Sequence, residues 1–242
     1  GSGADISQFA IITDMQRQVK MSIISRTLVP NISIIDPQLL TTKPNDLIIS
    51  SAIDALSHAV EAYISTIAST LTDIQSLKAI DLILTYLPIA LDQRCMDALE
   101  KLSSAGTFAG MAFSNASLGL DHALAHSLGG MLDLAHGLIH PVLLPPVMRF
   151  NLPVCVNKMA AIAEIILGGC SGRGAEDAAL AGIERLETFF SDLKISTRLR
   201  DIVSDPEVLP RICEMAAHDA CLVTNPKEAM VADMIAICKT CW

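Results

Sequence analysis

Five of the six histidines in this chain fall between residues 58 and 140, and they are spaced in fours. Asp54 and His58 form one pair, His122 and His126 a second, and His136 and His140 a third. Residues four apart on an α-helix lie one above the other on the same face and can converge on one point. A chain that repeats this spacing among its scarce histidines is built to bring helices together around a shared polar interior. Facing helices with two ligands each are a common frame for a metal site.

The neighbours of these residues sharpen the reading. Asp54 and His58 sit among Ala, Ile, Leu, Ser and Val, and His122 and His126 among Ala, Leu, Ser and Gly. A carboxylate in such a stretch is costly to bury unless it is paired or metal-bound. A lone histidine on an apolar face is commonly a core residue with one hydrogen bond, and a single pair arises by chance. Three pairs holding five of six histidines favour a metal site. Three neutral imidazoles and a carboxylate, without thiolate, suit Fe(II), Zn, Ni, Co or Mn. An open position beside them would let the metal act as a Lewis acid on an oxygen. The sixth histidine, His218, stands apart and reads as structural or surface.

Composition agrees with a helical frame. Of 242 residues, 51% are hydrophobic but only 4% aromatic, so the core is aliphatic. Ala, Leu and Met lose little rotamer freedom in a helix, and the length is enough to bury a real core. The net charge of -9 repels phosphate backbones and argues against nucleic-acid binding. Seven scattered cysteines read as reduced thiols in a cytoplasmic protein. The terminal Cys238-x-x-Cys241 reads as a chance pair in a fraying tail. No leader peptide is expected at the N-terminus. The apolar stretches look short and interrupted, so no membrane span is expected.

The fold expected is mainly α, with two parts. Residues 1–40 read as a short β segment: Phe9–Thr13, Met21–Ser25 and Ile32–Ile35 are runs rich in Ile and Val between turn-prone residues. Residues 41–242 read as an all-helical metal-binding domain. Asn45 or Asp46 is expected to cap a helix to Ile64. Further helices are expected from Ser69 or Thr72 to Leu91, and over 96–113, 120–132, 153–168, 175–192, 207–219 and 226–239. Pro141, Pro145 and Pro146 should break 137–150 into helical pieces.

At this point the residues match a known family. Ile53-Asp-Ala-Leu-Ser-His-Ala-Val-Glu-Ala-Tyr63 and the stretch from Gly110 through Asp121-His-Ala-Leu-Ala-His126 to Gly130 resemble the signature regions of iron-containing (group III) alcohol dehydrogenases. So do Ala135-His-Gly137, Leu143-Leu-Pro-Pro-Val-Met-Arg-Phe-Asn151, the N-terminal stretch to Asp14, and Asp219-Ala-Cys221 with Asn225-Pro-Lys227. The resemblance covers essentially the whole chain. It implies a dehydroquinate synthase-like helical C-terminal domain, preceded by the end of an α/β nucleotide-binding domain. It implies that Asp54, His58, His122 and His136 hold the metal, Fe(II) or another divalent ion such as Zn. It implies that His126 lies near the nicotinamide and helps relay a proton, so that it is both catalytic and cofactor-binding. Phe113 and Cys221 then line the substrate and nicotinamide pocket, and Lys20 lies near the cofactor ribose and phosphates. His140 falls where the family usually has another residue, and reads as packing behind the ligands.

The activity implied is hydride transfer between a small alcohol or aldehyde and NAD(P), by a cytoplasmic homo-oligomer, often a dimer. The glycine-rich loop that grips the pyrophosphate in such enzymes has no counterpart in these residues. Two other readings stand beside this one. One is a non-catalytic helical metal-binding or assembly domain. The other is a lyase of the wider dehydroquinate synthase-like superfamily, disfavoured because the helical region shows no basic cluster for a phosphorylated substrate.

Overall fold

In the computed structural model, residues 1–14, 16 and 19–242 are described. A β-hairpin leads into eight α-helices among these residues. β1 (Phe9–Asp14) pairs antiparallel with β2 (Val19–Ile24), with Phe9 opposite Ile24 and Asp14 opposite Val19. The third expected strand, 32–35, is not one. It runs as exposed coil, since β-rich composition makes no strand where no partner edge is available.

The helices are α1 (Asn45–Ile64), α2 (Thr70–Gln93), α3 (Met96–Ala116), α4 (Leu120–Leu132), α5 (His140–Leu167), α6 (Ala175–Asp192), α7 (Leu209–Ala216) and α8 (Val231–Thr240). Ser69 caps α2 through a reciprocal bond pair with Thr72. Asn45 does not cap α1, whose N-cap is Pro44. Its side chain instead accepts from the Arg94 guanidinium, which also reaches the carbonyls of Leu40, Thr41 and Lys43. That fan of bonds fastens the segment entering α1 to the end of α2. α5 is more continuous than its prolines suggest. Pro141 sits in its first turn, where no N–H is missed, and the non-helical break comes at Cys155, just after Pro153.

Two hydrophobic cores result. One joins α1, α2, α3, α6 and the middle of α5. The other joins α4, the start of α5, α7 and α8. α1 is buried around nearly its whole circumference from Ala52 to Ile64, as befits a helix apolar on all sides. α4 is likewise buried from Leu120 to Gly129. The functional residues lie where these two buried helices meet. The C-terminal tail does not fray. Cys238 is in the second core, and the Leu199 amide donates to the Cys241 carbonyl at 2.7 Å.

The expectation that no segment could span a membrane is corrected on length and composition: α1, α2 and α5 each meet that criterion. The interruptions read from the sequence are single Ser, Asp, His and Pro residues, too few to bring the mean hydropathy of a long window below that of a span. In this fold, 72% of the α1 window is buried against other protein.

Candidate metal centre

α1, α4, the 3-10 turn His136–Leu138 and the start of α5 converge so that Asp54 faces four imidazoles. The Asp54 Oδ1 oxygen lies 3.5 Å from His58 Nε2, 3.7 Å from His122 Nε2, 3.8 Å from His136 Nε2 and 3.4 Å from His140 Nε2. Three of the rings are oriented from behind through the other nitrogen. His58 Nδ1 donates to the Ser2 carbonyl at 3.2 Å, His122 Nδ1 to Glu61 Oε2 at 2.6 Å, and His140 Nδ1 to Asp121 Oδ2 at 2.6 Å. Such partners fix the tautomer that leaves Nε2 free as a donor to a cation. Phe113 stacks on His58 with ring centroids 4.1 Å apart, which fixes the plane of that ring.

The buried atoms Asp54 Oδ1 and His122 Nε2 have no hydrogen-bond partner. Buried polar atoms are almost always satisfied. An unpaired carboxylate oxygen facing an unpaired imidazole nitrogen fits a divalent cation between them. Electrostatics agree. Burial works against charge on Asp54, but His58, His122, His140 and His136 outweigh it and hold its carboxyl well below the usual range. Burial lowers His58 and His122 to about 4 and His136 well below its ordinary value. These imidazoles are therefore neutral near pH 7, as ligands must be. His140 differs. Burial would lower it too, but Asp121 and Asp54 outweigh that effect and raise it to about 10.

Glu61 is a residue the site reading did not single out. It lies three residues after His58 on α1 and is 1% exposed. Its Oε1 accepts from the Asp121 amide at 2.7 Å, and its Oε2 from the His122 amide at 3.4 Å as well as from His122 Nδ1. The α4 N-cap, Gly119, offers no side chain, so a carboxylate from α1 serves the first turn instead, where the helix dipole favours negative charge. Burial raises the Glu61 carboxyl to about 7. Asn225 completes this end: its Oδ1 accepts from the Leu120 amide, and it exchanges two bonds with buried Asn151. A Cβ on Gly119 would come within 2.7 Å of Asn225 Oδ1 and 2.9 Å of Glu61 Oε1, so only glycine allows both caps to approach. Asp121 was also missed. A carboxylate inside an apolar stretch was the available signal for both.

His126 lies beside the cluster rather than in it. Its Nδ1 donates to Asp219 Oδ2 at 2.8 Å, and its ring stacks over His136 at 5.3 Å between centroids. Asp219 also accepts from the Cys221 amide at 2.8 Å. Lys20 reaches the same side of α4. A Cβ on Gly129 would meet its Nζ at 2.8 Å, and it lines a cavity of about 260 Å³ with Ser127, His218 and Asp219. Phe113 and Cys221, expected on a pocket wall, are buried at 2% and 0% exposure with Ala62, Ala112, Ala116 and Leu118. Phe113 stands against His58, whereas Cys221 Sγ lies within 4.8 Å of ligand atoms of His126 and Asp219. His140, expected behind the ligands, is instead inside the cluster, and its Nε2 is the nearest of the four to Asp54.

A sequence profile described as Fe-containing alcohol dehydrogenase family, C-terminal, matches residues 48–242. The chain belongs to this family. It is 36% identical over 240 residues to NAD-dependent methanol dehydrogenase of Bacillus methanolicus, covering 99% of this chain and 63% of that protein. It is 38% identical to 1,3-propanediol dehydrogenase of Klebsiella pneumoniae, covering 98% of this chain and 62% of that one. A crystal structure of a 1,3-propanediol oxidoreductase superposes with a TM-score of 0.96 at 37% identity, over 100% of this chain and 64% of the other. An alcohol dehydrogenase from Oenococcus oeni gives the same TM-score at 32% identity, over 100% of this chain and 63% of that one. The chain thus spans a little under two thirds of the relatives it matches, and its fold is that of their helical part.

Proposed function

We propose that this chain is the metal-holding part of an NAD(P)-dependent alcohol dehydrogenase acting on a small alcohol or aldehyde. In this reading Asp54, His58, His122 and His136 hold one divalent metal, iron being the ion named for the family. Residues 1–40 are the end of a nucleotide-binding domain, and 41–242 the metal-binding domain. The observation that carries the reading is the pair of unpartnered buried atoms, Asp54 Oδ1 and His122 Nε2, that face each other.

A metal bound there would supply Lewis acidity toward the substrate oxygen, while the nicotinamide would supply the redox chemistry. The protein's own contributions follow from its hydrogen bonds. Glu61 and Asp121 hold His122 and His140 in the tautomer that presents Nε2. Asp219 accepts from His126 Nδ1, so neutral His126 carries its lone pair on Nε2 and can take a proton there. Residue pairs of this kind orient a base and stabilise it once protonated. Lys20, on the rim of the cavity beside Asp219, is assigned to the cofactor phosphates, and Cys221 to the nicotinamide side. Phe113 keeps the His58 ring in plane beside the substrate.

The test is elemental mass spectrometry of the purified chain and two variants. About one metal per chain is expected for the unaltered protein and for His126→Ala, and none for His122→Ala. Full metal content in His122→Ala would end the ligand assignment, and loss of metal in His126→Ala would move His126 among the ligands.

A further inference from the structure

We infer that His140 is itself a metal donor through Nε2, so that the centre offers five protein donors: four imidazoles and one carboxylate. The inference rests on the reading that this cluster holds a divalent metal, and it adds a ligand to the four assigned above. Among the four imidazoles, His140 Nε2 is closest to Asp54 Oδ1, at 3.4 Å, and it lies 3.4 Å from His136 Nε2. Among the described residues, the ligand atoms of Asp54, His122, His136 and His140 all lie within 4.8 Å of one another, and His58 Nε2 joins them through Asp54 Oδ1 at 3.5 Å.

The rear of the ring is built as a ligand's rear is built. His140 is fully buried, and so is Asp121, which accepts from its Nδ1 at 2.6 Å. This is the arrangement of Glu61 behind His122, and carboxylate–histidine pairs of this kind orient metal-binding imidazoles. Among the described residues the second Asp121 oxygen has no hydrogen-bond partner, so the hydrogen bond to the His140 ring is the one the carboxylate accepts.

A histidine that merely packed behind the ligands would turn its free nitrogen away from Asp54. This one turns it inward, 3.4 Å from Asp54 Oδ1 and 3.4 Å from His136 Nε2. Five protein donors leave one position of an octahedron for a substrate oxygen. Such a set favours ions that accept six neighbours, Fe(II), Co(II), Mn(II) or Ni(II), over tetrahedral Zn(II).

Cobalt(II), loaded into the full 242-residue chain, tests this by two measurements. X-ray absorption at the cobalt edge should fit four imidazoles, and three would overturn the inference. Proton NMR of the same sample should show a hyperfine-shifted N–H for each ligated ring. The one from His140 is held on buried Asp121, should exchange slowly, and should vanish in His140→Asn while one cobalt stays bound. An unchanged set of shifted resonances in that variant would also overturn it. If the variant fails to fold, the imidazole count of the unaltered chain still decides. One cobalt with three imidazoles would reject His140 alone, whereas no cobalt uptake would reject both this inference and the metal reading beneath it.

Discussion

The two ends of the molecule treat buried and exposed groups in opposite ways. Where α1 meets α4, charged and polar side chains are sunk almost completely. Most nitrogens and oxygens there are met by a partner; among the described residues Asp54 Oδ1 and His122 Nε2, which face each other, and Asp121 Oδ1 and His136 Nδ1 are not. In the N-terminal hairpin and the coil that follows, large apolar side chains stand in solvent, among them Ile11, Ile12, Ile23, Ile32 and Ile34. The helical body supplies enough surface to enclose an expensive cluster, because α1 and α4 are buried on all sides. A two-stranded ribbon cannot bury its own faces. The difference shows that burial in this chain is concentrated in the helical body rather than spread evenly.

Removing a partner from the centre tests that contrast most severely. Glu61→Ala strips two α4 amides and His122 Nδ1 of their acceptor. Breaking a buried pair from one side costs about 3–5 kcal/mol, and urea denaturation should show a loss of that size together with weakened metal uptake. Asn225→Ala should come next, at about 2–3 kcal/mol by the same measurement. It leaves the Leu120 amide and the Asn151 side chain unpaired, and each unsatisfied buried group costs about 1–3 kcal/mol.

Acidity separates the two regions further. In the metal-free chain, His58 and His122 fall to about 4 and His136 well below its usual value, so their contribution is complete above the unfolded pKa near 6.5 and is lost as pH falls. Glu61, raised to about 7, acts the other way over part of that range, but it is one carboxylate against three imidazoles. His140, raised to about 10, contributes below pH 6.5 and loses that contribution as pH climbs toward 10. Thermal melts of chelator-treated protein should therefore show a maximum near neutrality and a falling Tm on either side. A Tm that climbs steadily toward pH 4.5 would contradict the charge assignments. Ile12→Thr in the hairpin should give the smallest effect, within about 0.5 kcal/mol, with less self-association in light scattering. A loss as large as that of Asn225→Ala would show that the hairpin is held more firmly than its exposure indicates.

Much of the centre was legible in the sequence because its signal is local. Asp54 with His58, and His122 with His126, are one helical turn apart, and α1 and α4 lie where their periodicity and small residues put them. The start of α2, expected at Ser69 or Thr72, is set by bonds between those two residues, which act within four residues. The third strand was misread because strand formation depends on a partner edge, not on Ile and Val alone. The membrane criterion was misread because a few Ser, Asp, His or Pro residues are averaged out over a long apolar helix.

The sequence by itself determined the helices, the aliphatic core and the presence of a carboxylate with imidazoles in register on helix faces, since these follow from contacts within a few residues. Only the tertiary structure decided which nitrogen each imidazole presents, which carboxylate stands behind it, and that His140 points into the centre rather than away. Those choices depend on groups far apart along the chain, such as Glu61 capping α4 from 60 residues away and Asn225 from 105. No local pattern encodes such meetings. They arise when buried segments distant in sequence converge and their polar atoms must find partners across the space between them.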